Sequence, residues 1–299
     1  METNAKTIQI FLPDGQPRGI RIAEITTRIV QAVAVPRTQI DRMMKRTEIG
    51  HVAVYFLFGE SEDQAKPIVY IGQTEDTPTR LKNHNANKDF WQTAVLVISK
   101  THSFTQAHIR FLEWFCISKA GEAGRYHLDN ANEGSEPYTT EPMKADLMDA
   151  FETASTLVSA LGYPIFDPVT SPPDQRAEKD VFYCSGPDAH GTGKLADDGF
   201  VVLAGSLART EISQSAIQGL AAMQDQLKNS GVLEEANESQ LRFTQDYLFN
   251  TPSAAALVVL ARKANGWVEW KSKAGRTLHE LRRSGTDGNG DDAGSESPG

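Results

Sequence analysis

The chain has 299 residues, a formal net charge of −9 and two cysteines, Cys116 and Cys184. That length is enough for two domains with real cores, and two cysteines so far apart exclude a disulfide framework and a cysteine-rich zinc site. No apolar run is long enough to span a bilayer, and METNAKTIQI lacks the apolar stretch of a secretion signal, so a cytoplasmic protein is expected.

The charge is uneven. Residues 1–50 carry 8 Lys+Arg and 5 Asp+Glu, residues 51–130 carry 8 and 9, and residues 131–299 carry 14 and 25. A polyanion is therefore expected to meet the front half. In chain order, KTIQIFLPDGQPRGIRIAEI alternates around Asp14-Gly15 as a hairpin does. TRIVQAVAVPRTQIDRMMKR continues with a strand and a short basic helix. Residues 1–49 thus read as a β/basic arm, either an extension of the fold or an arm that touches DNA. HVAVYFLFG and PIVYIGQT are neighbouring antiparallel strands. TPTRLKNHNAN reads as a helix capped by Asp76 or Thr77 with Pro78 near its start. FWQTAVLVIS is a third strand, and a long helix runs from Ser103 to Gly121 or Gly124. This predicts a small α+β domain over residues 50–132, a three-stranded antiparallel sheet flanked by helices. Residues 133–180 read as a linker carrying the amphipathic helix of MKADLMDAFETASTLVSALG. Residues 181–283 read as a second small α+β domain, and the Gly/Ser/Asp-rich residues 284–299 as a disordered acidic tail.

Several residues point to chemistry. Glu113 has Ile109, Cys116 and Ile117 as its helical neighbours, with Phe104, Phe111 and Phe115 on the opposite stripe. A carboxylate on such a helix needs a partner, either Arg110 one turn back or a metal ion. Arg80 falls in the first turn of its helix, where the free N–H groups favour anions, and His84 shares its face. An Arg–His pair after a strand and turn fits a phosphate clamp. Two strands carry one phenol each, Tyr55 and Tyr70.

Together these residues resemble the GIY-YIG nuclease family over residues 50–132. AVY (Ala53-Val54-Tyr55) stands for its first motif, with alanine in place of glycine, and YIG (Tyr70-Ile71-Gly72) for its second. Arg80-x3-His84 matches the helix motif, Glu113 the metal-binding glutamate, and LDNAN supplies the family's asparagine as Asn130 or Asn132. The resemblance implies hydrolysis of DNA phosphodiester bonds with one divalent cation, Mg²⁺ or Mn²⁺, held by Glu113. Tyr55 would help deprotonate the attacking water and Arg80 would bind the scissile phosphate. His84 and Tyr70 would orient water or phosphate, and Asn130 would brace the cleft. Lys82, between Arg80 and His84, is a further candidate contact to DNA.

The rear half resembles an uncharacterised domain often found after GIY-YIG domains, through GFVVLAGSLAR and TPSAAALVVLARKANGWVEWK. Residues 260–283 carry 7 Lys+Arg and 2 Glu beside Trp267 and Trp270, which reads either as a nucleic-acid surface or as two tryptophans in a β core. SGPDAHGTGKL is not a phosphate loop: Asp188 stands at the first glycine position and Leu195 at the metal-binding Ser/Thr. Two functions compete: a DNA endonuclease, and a non-catalytic nucleic-acid-binding or regulatory protein whose rear half recruits a protein partner.

Overall fold

The computed structural model describes residues 5–46, 49, 52–61, 64–131, 134–169 and 181–281. The protein is α+β and divides into two units, Met1–Pro168 and Val169–Gly299. The acidic tail 284–299, the second candidate asparagine Asn132 and most of the Pro-rich stretch before residue 181 lie outside the described residues. Among the described residues no helix is long and apolar enough to cross a membrane.

In the first unit, β1 (Gln9–Phe11), β2 (Arg21–Glu24) and β3 (Val30–Pro36) lead into the short α1 (Ile40–Met43). Then come β4 (Ala53–Gly59), β5 (Ile68–Thr74), α2 (Thr77–Asn87), β6 (Trp91–Ser99), α3 (Gln106–Ala123), β7 (His127–Leu128) and α4 (Glu141–Ala160). One sheet holds all these strands in the order β1-β2-β3-β6-β4-β5-β7. The antiparallel trio β6-β4-β5 expected from the sequence is its centre, but the sheet does not stop there. β3 pairs with β6 from Val30↔Ser99 to Pro36↔Thr93. The strands of the front arm, β1, β2 and β3, are therefore part of the same sheet as β4, β5, β6 and β7. The physical reason is burial: Val30, Ala32, Val33, Ala34 and Val35 are all buried, which requires a covered place within a sheet.

Alternation divides the sheet into two faces. Val54, Phe56 and Phe58 pack with Val69, Ile71, Val95 and Val97 against α3 and α4. Ala53, Tyr55 and Leu57 pack with Leu96, Ile98 and Leu81 of α2 on the other face. α4, expected within a linker, instead contributes Leu147, Ala150, Ala154, Leu157 and Val158 to the first core. Its flanking polar stretches look like linkers, but an apolar helical stripe must be covered, and this sheet covers it.

The second unit holds β8 (Val181–Gly186), β9 (Ala189–Ala196), β10 (Gly199–Val202), β11 (Leu207–Arg209), α5 (Ile217–Asn229), β12 (Leu233–Asn237), β13 (Gln240–Phe243), β14 (Tyr247–Phe249), α6 (Pro252–Leu260), α7 (Gly266–Glu269) and β15 (Lys271–Ser272). The sheet runs β12-β13-β11-β9-β10-β14, and β8 joins β9 and carries β15. The glycines of HGTGK lie in β9, pointing inward. A Cβ at Gly191 would stand 2.9 Å from Trp270, and one at Gly193 2.4 Å from Phe200. They make room for large aromatics rather than for phosphate. Trp270 is fully buried and its Nε1 donates to the carbonyl of Pro252 at 3.0 Å, so it belongs to the core and not to a surface.

Candidate active-site cleft

α2 begins where it does because Asp76 caps it. The Asp76 Oδ1 accepts from the Thr79 N–H at 3.1 Å, and Pro78 sits in the first turn. This start sends Arg80, Asn83, His84 and Asn87 along one helical stripe, and all four line a cleft of about 900 Å³. From the other side α3 presents a second stripe, Arg110, Glu113, Trp114 and Ile117. Tyr70 of β5 and Asn130, just after β7, complete the set.

The sequence-derived residues are thus mostly brought together. Tyr70, Arg80, His84, Glu113 and Asn130 share the cleft. Tyr55 does not reach it. It is wholly buried behind the cleft, where its hydroxyl accepts from Arg80 Nε at 2.8 Å and lies 2.8 Å from His84 Nε2. Burial pushes the phenol pKa up, and the opposing Arg80 hydrogen bond does not cancel it. Burial, reinforced by Arg80 and Lys88, pushes the His84 pKa down to about 4. A neutral His84 is therefore the acceptor, and the Tyr55 O–H donates to its Nε2. The chain of donation runs Arg80 to Tyr55 to His84.

Gly72 makes this arrangement possible. It pairs directly with Tyr55 across the two strands, and a Cβ on it would stand 2.4 Å from the Tyr55 hydroxyl. The glycine of YIG is thus a sequence signal for the phenol that lies across it. Ala53, at the first motif's glycine position, is simply buried beside its partner Thr74.

Glu113 is half-buried. Burial pushes its carboxyl up, while a hydrogen bond from the Gln73 N–H and the charges of Arg80 and Arg110 act against the shift. No ion pair within 4.0 Å ties Glu113 to Arg110 among the described residues. Asn130 acts as a strand extension: its Nδ2 donates to the Ile71 carbonyl at 2.7 Å and its Oδ1 accepts from the Ile71 N–H at 3.0 Å. These two bonds continue the parallel β5–β7 pairing beyond its last backbone bond, from the Asp129 N–H to the Val69 carbonyl at 2.8 Å.

Lys88, Asp129 and Arg110 were not identified as site residues from sequence. The Lys88 ammonium lies 4.5 Å from the centre of the Tyr70 ring and pairs with Asp129. For Arg110 helical spacing was the available signal, since it precedes Glu113 by three residues, as Arg80 precedes Asn83. Lys82 falls off the α2 stripe: it is exposed and does not line the cleft. The charged lining comprises Arg80, Lys88, Arg110, Glu113 and Asp129.

The family model "Domain of unknown function (DUF4357)" matches residues 182–282, nearly the whole described span of the second unit. No curated protein and no solved structure matches the chain. The comparisons lend no support of their own to the nuclease resemblance of residues 50–132, which rests on the residues and their geometry.

Proposed function

We propose that the chain is a metal-dependent endonuclease that hydrolyses DNA phosphodiester bonds in the cleft of its first unit, by a GIY-YIG-type one-metal reaction. The observation that carries this reading is the meeting of Tyr70, Arg80, His84, Glu113 and Asn130 on one cleft, from separate elements. Phosphodiester hydrolysis needs a fixed cation at the phosphate, a group that orients water, and charge stabilisation at the leaving oxygen. The residue types for the first two are present, and Glu113 fits the third.

Among the described residues no cluster of three or more His, Cys, Asp or Glu is disposed to cage a metal. A single half-buried carboxylate fits instead an ion that keeps its waters and shares substrate oxygens, as Mg²⁺ and Mn²⁺ do. When bound at Glu113, such an ion supplies positive charge to the leaving oxygen. Arg80 spends its Nε on Tyr55, so its terminal nitrogens are the part a phosphate oxygen meets. The resemblance gives water deprotonation to Tyr55. Its burial and raised pKa favour another division of labour: Tyr55 stays protonated and positions Arg80 and His84, while Tyr70, which lines the cleft, orients the water. Asn130 holds β5 in place through Ile71.

The test is direct. Purified protein with Mg²⁺ or Mn²⁺ is given labelled single-stranded, duplex and branched DNAs. Cleavage is expected, and it should vanish in EDTA and in Glu113→Gln. Full activity in either sinks the one-metal reading. DNA binding without cutting at any metal concentration favours the non-catalytic alternative.

A further inference from the structure

β8 alternates strictly. Phe182 and Cys184 point inward and are buried, while Tyr183 and Ser185 are exposed. The inner face is filled by Trp270 and Phe200 lying against the glycines of β9, and the exposed residues of these strands, Tyr183, Ser185, His190 and Lys271, stand on the outer face with Thr192 and Lys194 part-buried beside them. On it, Tyr183 stands between two cross-strand partners, Thr192 of β9 and Lys271 of β15. Lys194 is opposite Val181 and His190 opposite Ser185, which makes both diagonal neighbours of Tyr183. Direct partners lie ~5 Å apart and diagonal ones ~7–8 Å, within reach of an aromatic ring and long side chains.

Tyr183 is 38% exposed, a large value for a tyrosine in the body of a sheet. Among the described residues neither Lys194 nor Lys271 forms an ion pair. β8, β9 and β15 contain no Asp or Glu. Glu269, next to this face in sequence, is held by Arg262 at 2.9 Å. Asp188 lies in the turn between β8 and β9, at one end of the face. The centre is therefore an open phenol ring with two unpaired ammonium groups, an imidazole and two hydroxyls around it.

We infer that this outer face, centred on Tyr183 with Lys194 and Lys271, binds single-stranded nucleic acid. A phenol face stacks on any base and ammonium groups take the phosphates on either side. A duplex hides its base faces from a ring that would stack on them, so the ligand is an unpaired strand. The inference is independent of the cleft and would hold if the cleft cut nothing. It also gives the matched domain of unknown function a binding chemistry, since Tyr183, Lys194 and Lys271 lie within residues 182–282.

The experiment uses the full chain carrying Glu113→Gln, in EDTA, with a labelled fifteen-nucleotide oligothymidylate followed by fluorescence anisotropy. Tyr183→Ala is expected to weaken binding at least ~5-fold, the lower end of one lost base stack. Tyr183→Trp should restore it. Lys194→Gln with Lys271→Gln should reduce the slope of log affinity against log salt by ~1.4, or ~0.7 per phosphate contact. Tyr183 and Lys271 are exposed and Lys194 is partly exposed, and melting temperature checks that each variant is folded. Unchanged affinity in a folded Tyr183→Ala variant overturns the proposal. So does competition by polyglutamate as effective as that by the oligonucleotide, which would make this an acidic-peptide surface. Cleavage is not measured in this assay, so its failure is separate from failure of the nuclease reading.

Discussion

A hydroxyl wholly out of water needs its partners, and Tyr55 has two, one charged and one neutral. An unsatisfied buried hydroxyl costs about 1–3 kcal/mol, so the neutral state of His84 stabilises the fold as well as the site. Its pKa falls from an ordinary 6.5 to about 4 in the folded protein. The unfolded chain therefore binds more protons between those values, and stability must drop as pH falls from about 6.5 through about 4. Denaturant midpoints across this window should show that fall, and His84→Gln should remove part of it. A variant with the same pH profile as the parent would show that His84 does not titrate as its surroundings require. Glu113 has the opposite sign. Burial raises its folded pKa, so its charged form is a cost to folding at neutral pH, and the contribution of its neutral form is lost as pH rises through that value. Glu113→Gln should abolish cutting while leaving the melting temperature equal or higher. A fall of several degrees would instead mark Glu113 as a structural carboxylate.

At the scale of elements, the contact between β4 and β5 sets the site. Gly72→Ala would push a methyl group into a buried ring that has no room to move aside. Overpacking of this kind costs about 1–3 kcal/mol, and here it would also displace the hydroxyl that holds Arg80 and His84. Turnover should fall more than substrate affinity, measured by single-turnover rates against anisotropy. Equal loss in both would mean the strand pair has moved as a whole. Much of this was legible in the sequence: two phenol-bearing strands, the Asp76-capped helix, and the Arg80 and Glu113 stripes all follow from local chemistry. Other things were not. Whether Tyr55 faces the cleft or lies behind it depends on the ring's path across Gly72, a tertiary matter. The pairing of β3 with β6 joins residues 57 to 69 positions apart, and nothing local specifies that partner. Trp270 sits beside basic residues in sequence yet turns inward, because β9 offers glycines for it to cover. Tyr183 was overlooked for the converse reason: one tyrosine in a short strand carries no signal until register brings Lys271 and Lys194 beside it.

At the scale of the whole molecule, the extent of the folding unit decides how a truncation behaves. Residues 50–132 contain the cleft residues but omit β3 and α4. Without them β6 has an open edge along its length, and Val54, Phe56 and Val97 lose the helix that covers them with α3. Such a fragment is expected to aggregate or remain unfolded, whatever its catalytic content. Residues 1–168 keep both elements and form one of the chain's two compact units. That fragment should melt cooperatively and cut DNA wherever the full chain does. It lacks Tyr183, Lys194 and Lys271, so it should bind single strands more weakly than the full chain, and its preference among single-stranded, duplex and branched substrates should flatten. Deleting residues 284–299 removes Asp287, Asp291, Asp292 and Glu296, which would repel phosphate, and should leave affinity equal or slightly higher. If residues 1–168 instead cut the same DNAs with the affinity and preference of the full chain, the second unit does not select substrate. Its acidic composition would then point to a protein partner, to be sought by pull-down with residues 169–299 once that fragment is shown to fold.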